Sequence, residues 1–201
     1  MNQSAVFDLF RSSEAMLEEH FELSSGLHSD RYFQCARLLM DPARAELLAR
    51  ALREKIETPI DVVVGPAMGA VTWAHEVARA FGVRAMFTER ANGEMTLRRG
   101  FRFEPGERVL VVEDVVTTGG SAREVLALLR ELGGNPVHMG AVLNRSGCNP
   151  FEVEGLELAT LAEAEVQVWK PEECPLCADG GKAIKPGSRP GNAEAVGSPT
   201  A

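Results

Sequence analysis

A chain of 201 residues is long enough for one α/β domain with a full core and too short for two comfortable ones. Its formal charge of -8 argues against nucleic acid or an anionic membrane as the main partner, so an anionic ligand would have to be drawn by local arginines. No charged-apolar-small leader opens the sequence and no apolar run approaches the roughly 20 residues of a membrane span, which makes the cytoplasm the expected location.

In chain order, residues 3–20 read as an amphipathic helix, followed by a hairpin over 21–39. Asp41-Pro42 then starts a helix to about Ile56, with Asp as N-cap and Pro in the first turn. DVVVGPAMGA, residues 61–70, has a buried-strand pattern that ends in a Gly-Pro turn and runs into a helix over 71–81. A strand over 84–88 follows, and residues 91–103 carry Asn92-Gly93 between polar stretches, as a loop or flap hairpin would.

The stretch VLVVEDVVTTGGSA, residues 109–122, is the richest in chemistry. Val109 to Val112 are β-branched or aliphatic without polar alternation, as in a strand covered on both faces. Glu113 and Asp114 fall at its carboxyl end, residues 115–120 form a loop, and Ser121 opens a helix over 122–132 that Gly133-Gly134 stops. A helix N-terminus offers unpaired N–H groups and partial positive charge, and Thr117, Thr118 and Ser121 add hydroxyl donors suited to a phosphate. The two carboxylates can accept from vicinal ribose hydroxyls or hold a hydrated Mg²⁺. Ser121 as a plain N-cap and the acids as a strand-end turn is the alternative for any one residue alone. Neither G-x-x-x-x-G-K-[ST] nor G-x-G-x-x-G after a strand occurs, so the usual triphosphate and dinucleotide fingerprints are missing. Strands over 137–143 and 157–161 complete a parallel, right-handed α/β pattern.

Residues 109–122 resemble the phosphoribosyl pyrophosphate (PRPP) motif of type I phosphoribosyltransferases, and three further segments narrow the resemblance to the orotate phosphoribosyltransferase family, in its short bacterial form of the Thermus type. The first is FELSSGLHSDRYFQCARLL, similar to the family's N-terminal hairpin; the second is DVVVGPAMGA, similar to its pyrophosphate loop; the third is GAVLNRSG, residues 140–147.

The resemblance implies an α/β, type I phosphoribosyltransferase fold: a mostly parallel central sheet flanked by helices, with an N-terminal hood hairpin over the substrate and a flap loop. It also implies one domain over 1–177, with the helix and hood in 1–40 and the core in 41–177. From about Ala178 the composition turns to Gly, Pro, Ser and Ala, and 178–201 reads as a disordered tail.

The implied reaction transfers the 5-phosphoribosyl group from PRPP to N1 of orotate, in UMP biosynthesis. Glu113, Asp114, Val115, Val116, Thr117, Thr118, Gly119, Gly120 and Ser121, the backbone of Ala67, Met68 and Gly69, and Arg90 would bind PRPP. Thr117, Arg145, Ser25, Gly26, Tyr32 and Phe33 would bind orotate, with the planar guanidinium of Arg145 on its carboxylate. Asp114, Arg98 and Arg99 are the expected catalytic residues, Mg²⁺ would be carried by PRPP without direct protein ligands, and a homodimer is implied.

The chain departs from better-studied relatives, which place lysines in the hairpin, the pyrophosphate loop and a K-x-H-G loop. Here Ser24 and Gly69 stand at the first two positions and Ala91-Asn92-Gly93-Glu94-Met95 replaces the third, so the positive charge must come from elsewhere; Arg90, Arg98, Arg99 or Arg102 could supply it, and a solvated basic hairpin over Arg98 to Arg102 is the alternative. A phosphoribosyltransferase for another base, or a PRPP-sensing regulator, is the alternative function. No helix-turn-helix or basic stripe favours the regulator.

Cys35 and Cys148 are isolated, and Cys174-Pro175-Leu176-Cys177 is half a zinc knuckle. Zinc would need a second pair from another subunit or from distant Cys or His; a redox pair and plain reduced thiols are the alternatives. His20 and His75, on expected helices, read as surface or packing residues, His138 lies inside a strand, and His28, in the hairpin, has a turn role, with approach to the substrate as the alternative.

Overall fold

A computed structural model of the chain describes residues 1–23 and 25–186. Ser24 and the segment 187–201, which holds most of the expected tail, lie outside the described residues. The elements run α1 (Gln3–Ser12), β1 (Met16–Glu22), β2 (His28–Phe33), α2 (Cys35–Leu39), α3 (Pro42–Arg53), β3 (Val62–Pro66), α4 (Val71–Phe81), β4 (Arg84–Ala91), β5 (Glu94–Thr96), β6 (Arg108–Val116), α5 (Gly120–Glu131), β7 (Asn135–Asn144), β8 (Leu158–Glu163), β9 (Val168–Trp169) and α6 (Pro175–Ala178). They form two compact units, Met1–Ala15 with Cys35–Glu165, and Met16–Gln34 with the segment from Val166.

The larger unit is built on a six-stranded sheet in the order β5-β4-β3-β6-β7-β8. The β3–β4, β3–β6, β6–β7 and β7–β8 pairs are parallel; only β5 returns antiparallel. Alternate residues of the central strands serve opposite faces. Val62, Val64, Val109, Val111, Met139 and Ala141 share one buried cluster with Val125, Leu126 and Leu129 of α5. On the other face a β-carbon at Gly140 would stand 3.0 Å from Leu52 of α3, so helix and sheet meet there with no room for a side chain. Burial on both faces explains why β3 and β6 read as continuous apolar runs. Each fully buried Val or Leu contributes about 1.5–3 kcal/mol of transfer free energy.

Local signals in this unit act as the sequence implies. The Asp41 side chain accepts from the Ala43 N–H at 3.0 Å, with Pro42 in the first turn of α3. Asn92 and Gly93 both have positive φ, 54° and 88°, and join the paired Ala91 and Glu94 in a two-residue hairpin turn. Gly133 stands at φ 84° just past the end of α5.

The smaller unit is a three-stranded antiparallel sheet, β1-β2-β9. Its outer edge is completed by Ile184, whose N–H donates to the His20 carbonyl and whose carbonyl accepts from the Glu22 N–H, both at 2.8 Å.

Several boundaries differ from the sequence reading. The first helix stops at Ser12, not His20: the Ser13 N–H and hydroxyl both turn back to the Leu9 carbonyl, and Glu14 then takes φ 51°. His20 is thus a strand residue, the hairpin starts at Met16 and ends at Phe33, and residues 35–39 are helical. Residues 166–177, expected in the α/β core, group with the hairpin, and residues 178–186, expected in a disordered tail, include the Ile184 pairing.

Candidate active site

The six-stranded sheet presents its parallel strand ends on one edge, and β6 carries the PRPP-like motif to it. β6 continues through Val116, where Val115 and Val116 pair with Leu143 and Asn144 of β7, so the loop is confined to 117–119. Gly119 is the N-cap of α5, with φ 76° and no side-chain capping bond. The expected helix start at Ser121 is therefore displaced: Ser121 lies in the first turn of α5, exposed like Thr117, Thr118 and Gly120. Glycine is required at 119, since a β-carbon there would meet the Phe151 ring at 2.9 Å. Glu113, Val115, Val116, Thr117, Thr118, Gly119, Gly120, Ser121 and Ala122 line one pocket. An uncapped helix start facing a pocket leaves first-turn N–H groups open to an anion.

Glu113 and Asp114 are half-buried at the same strand end. Burial raises the Glu113 carboxyl to about 8, and the neighbouring Asp114 charge adds to the shift. Burial also raises Asp114, against the lowering effect of the Val115 N–H, which donates to Asp114 Oδ1 at 2.8 Å. Two adjacent acids held above their usual range favour ligands that bring hydroxyl donors or a cation.

The turn after β3 reaches the same acids. A β-carbon on Gly69 would lie 2.9 Å from Asp114 Oδ2, so the loop backbone is against the carboxylate. The Ala67–Met68 peptide is cis. Of the three amides expected to serve a diphosphate, that of Ala67 is committed elsewhere: it donates to the Thr88 carbonyl at 2.7 Å. Ala67 thus anchors the loop to β4.

Arg145 follows β7 directly and its N–H donates to the Val116 carbonyl at 2.8 Å, one residue before Thr117. Asn144 shapes the turn beyond it, accepting from the N–H and hydroxyl of Ser146 and donating to the Cys148 carbonyl.

Arg123 was missed by the sequence reading. It donates to the Thr118 carbonyl at 2.8 Å, to Glu154 Oε1 at 2.7 Å and to the Pro150 carbonyl, and it covers the Phe151 ring. One side chain thereby fastens the phosphate-type loop to residues 150–154. Its position two residues after Ser121 was the available signal.

The flap arginines are engaged with acids. Arg90 donates to Glu124 of α5 and to the Gly93 carbonyl, both at 2.7 Å. Arg98 and Arg99 both face Glu89, at 3.7 and 3.2 Å, and Arg99 also lies over the Phe87 ring. The Arg102 carbonyl accepts from Arg84.

In the smaller unit Ser25 and Gly26 are exposed at the hairpin turn, where Gly26 has φ 81° and donates to the Leu23 carbonyl. Tyr32 is half-buried against Phe21, with ring centroids 5.7 Å apart, and Phe33 is buried.

Comparison with known proteins identifies the family and the fold. A model of the phosphoribosyl transferase domain matches residues 36–171. Curated orotate phosphoribosyltransferases of Pelotomaculum thermopropionicum and Heliobacterium modesticaldum are 51% and 52% identical over 190 and 193 residues, covering 94% of this chain and 99% and 100% of theirs. The crystal structure of the orotate phosphoribosyltransferase from Aeropyrum pernix superimposes with a TM-score of 0.67 at 25% identity, over 79% of this chain and 93% of that one. That of Mycobacterium tuberculosis, in complex with inorganic phosphate, gives 0.65 at 26%, over 80% and 95%. An adenine phosphoribosyltransferase from Thermoanaerobacter pseudethanolicus, at 0.59 and 16% identity over 67% of this chain and 88% of that one, shares the fold alone.

Proposed function

The chain belongs to the phosphoribosyl transferase family, and from that premise we propose that it transfers the 5-phosphoribosyl group of PRPP to N1 of orotate, giving orotidine 5′-monophosphate and diphosphate in pyrimidine biosynthesis. The observation that carries the site assignment is the pocket at the end of β6, lined by an uncapped helix start and by half-buried Glu113, the neighbour of Asp114 on the strand.

In this reading the 5′-phosphate is taken by Thr117, Thr118 and Ser121 and by the N–H groups at the start of α5. Glu113 and Asp114 accept hydrogen bonds from the ribose hydroxyls, and Met68 and Gly69 offer backbone N–H groups to the diphosphate. Arg145 and Thr117 take orotate, Arg145 through a bidentate bond to its carboxylate. The hairpin residues Ser25, Gly26, Tyr32 and Phe33 keep their proposed orotate role on the resemblance alone.

No protein nucleophile is needed. The C1–O bond to diphosphate breaks as the orotate ring nitrogen forms the new C1–N bond, while positive charge grows on the ribose ring. Asp114, against the ribose, offsets that charge, and Arg98 and Arg99 stabilise the departing diphosphate once they leave Glu89. The half-buried acid pair suits a hydrated divalent cation brought by PRPP better than one held by the protein alone. Mg²⁺ carried in this way supplies charge neutralisation at the diphosphate. A homodimer and a cytoplasmic location complete the proposal on the resemblance; among the described residues no helix is long and apolar enough to cross a membrane.

Thermal denaturation with added ligands tests the base assignment. With Mg²⁺ and diphosphate present, orotate raises the melting temperature and adenine, guanine and uracil do not. Stabilisation by one of those bases, and not by orotate, would replace the substrate in this reading.

A further inference from the structure

The Cys174/Cys177 pair gains the two partners it lacks in the sequence. β1 and β2 pair Glu22 with His28, and His20 lies two residues before Glu22, so both imidazoles occupy one face of the hairpin. The Cys174 carbonyl accepts from the N–H groups of Cys177 and Ala178, both at 3.2 Å, closing the turn that carries both thiols. The four side-chain ligand atoms all lie within 4.8 Å of one another.

Three of the four short separations fall in the range of a tetrahedral metal shell, and the two imidazole nitrogens stand closer together than a bound ion would hold them. His20 Nε2 is 2.9 Å from His28 Nδ1, 3.4 Å from Cys174 Sγ and 3.7 Å from Cys177 Sγ, and Cys177 Sγ is 3.3 Å from His28 Nδ1. Zinc bonds of about 2.3 Å to sulfur and about 2.0–2.1 Å to nitrogen put ligand atoms roughly 3.3–3.8 Å apart. The His20 ring meets His28, Cys174 and Cys177 through Nε2, while its Nδ1 is buried without a hydrogen bond among the described residues. His28 and Cys174 are buried. Two thiols and two imidazoles in this geometry select zinc over magnesium or calcium, which take oxygen ligands.

We propose that His20, His28, Cys174 and Cys177 bind one structural Zn²⁺ that staples the segment after Val166 to the hairpin. The smaller unit has a physical need for such a staple. Its sheet is three strands, one of them two residues long, and small units with little core of their own gain most from a metal, a disulfide or a partner. The ligands come from positions 154 residues apart, so the metal closes a long loop, and its binding free energy is folding free energy for this unit. The four ligands close the shell, leaving no open position for a reacting water. The turn between the two histidines carries Ser25 and Gly26; where the orotate reading above holds, metal loss also raises the KM for orotate.

The test is metal content, which does not depend on that reading. The full chain, expressed with zinc and purified without chelator, carries one zinc per chain by plasma mass spectrometry, and Cys174→Ser and His28→Asn lose it while Cys148→Ser keeps it. Because the ligand variants can fail to fold, the wild-type chain is also exchanged with Co²⁺, which develops the visible absorption of a tetrahedral cobalt thiolate site. A wild-type chain without zinc and without that absorption, its thiols all titrating freely or Cys174 and Cys177 joined in a disulfide, overturns the site. So does zinc retained in full by folded Cys174→Ser.

Discussion

Gly69 has no room for a side chain because Asp114 stands against it: a β-carbon would fall 2.9 Å from Asp114 Oδ2. The contact joins the turn after β3 to the acid pair of β6, two segments that the sheet places on neighbouring parallel strands. Gly69 does not have a positive φ, so crowding alone opposes a side chain there. Gly69→Ala therefore displaces either the loop or the carboxylate, costing about 1–3 kcal/mol where the crowding is relieved. Steady-state kinetics should show the KM for PRPP raised by about tenfold or more; a KM within about twofold of wild type would mean that the loop and Asp114 do not act together on PRPP.

Arg123 ties the Thr118 carbonyl to the 150–154 turn. Its side chain is 42% exposed, so Arg123→Ala costs only about 1 kcal/mol of stability. The loop it positions contributes to PRPP binding, so KM for PRPP rises several-fold with kcat nearly held. A melting temperature and KM both unchanged would reduce Arg123 to a surface ion pair.

The raised acid predicts a pH dependence with a definite sign. Glu113 moves from 4.5 to about 8 on folding, so the folded chain holds a proton that the unfolded chain releases. Stability carries no penalty from this group below about pH 4.5 and falls as pH rises toward about 8. PRPP with its cation favours the ionised pair, so affinity increases over the same upper range and binding near neutral pH releases a proton. Calorimetry in two buffers of different ionisation enthalpy should detect that release in wild type and lose it in Glu113→Gln. Equal heats in both buffers for wild type would contradict the assignment.

How far the sequence reached depends on what kind of signal each segment carries. β3 and the first half of β6 are buried on both faces, and an uninterrupted Val-rich run can be little else. β1 is MLEEHFE, with charges at both exposed and half-buried positions, and a helical spacing runs into it; only its pairing with β2 makes it a strand. The helix start at Gly119 was ambiguous because both Gly119 and Ser121 are acceptable caps, and φ 76° at Gly119 decides it. The partners of Arg123, and those of Cys174 and Cys177, are set by tertiary contacts across 27–31 and 149–157 residues, beyond the reach of local pattern.

The flap arginines give a direct check on how the missing loop lysines are replaced. Arg98 and Arg99 share Glu89. If they turn to the diphosphate during the reaction, Arg98→Ala and Arg99→Ala each lower kcat by at least about tenfold. Unchanged turnover in both variants would remove them from the mechanism and leave Arg90 or Arg102 to be tested.

The central claim is the transfer reaction itself, and orotate depletion followed by absorbance with PRPP and Mg²⁺ addresses it most directly, with an Arg145→Ala variant and a panel of other bases alongside. Turnover selective for orotate that collapses in Arg145→Ala is the predicted result. Turnover with another base in place of orotate would keep the PRPP site and discard the substrate, and silence with every base would contradict the account of this chain as a catalyst.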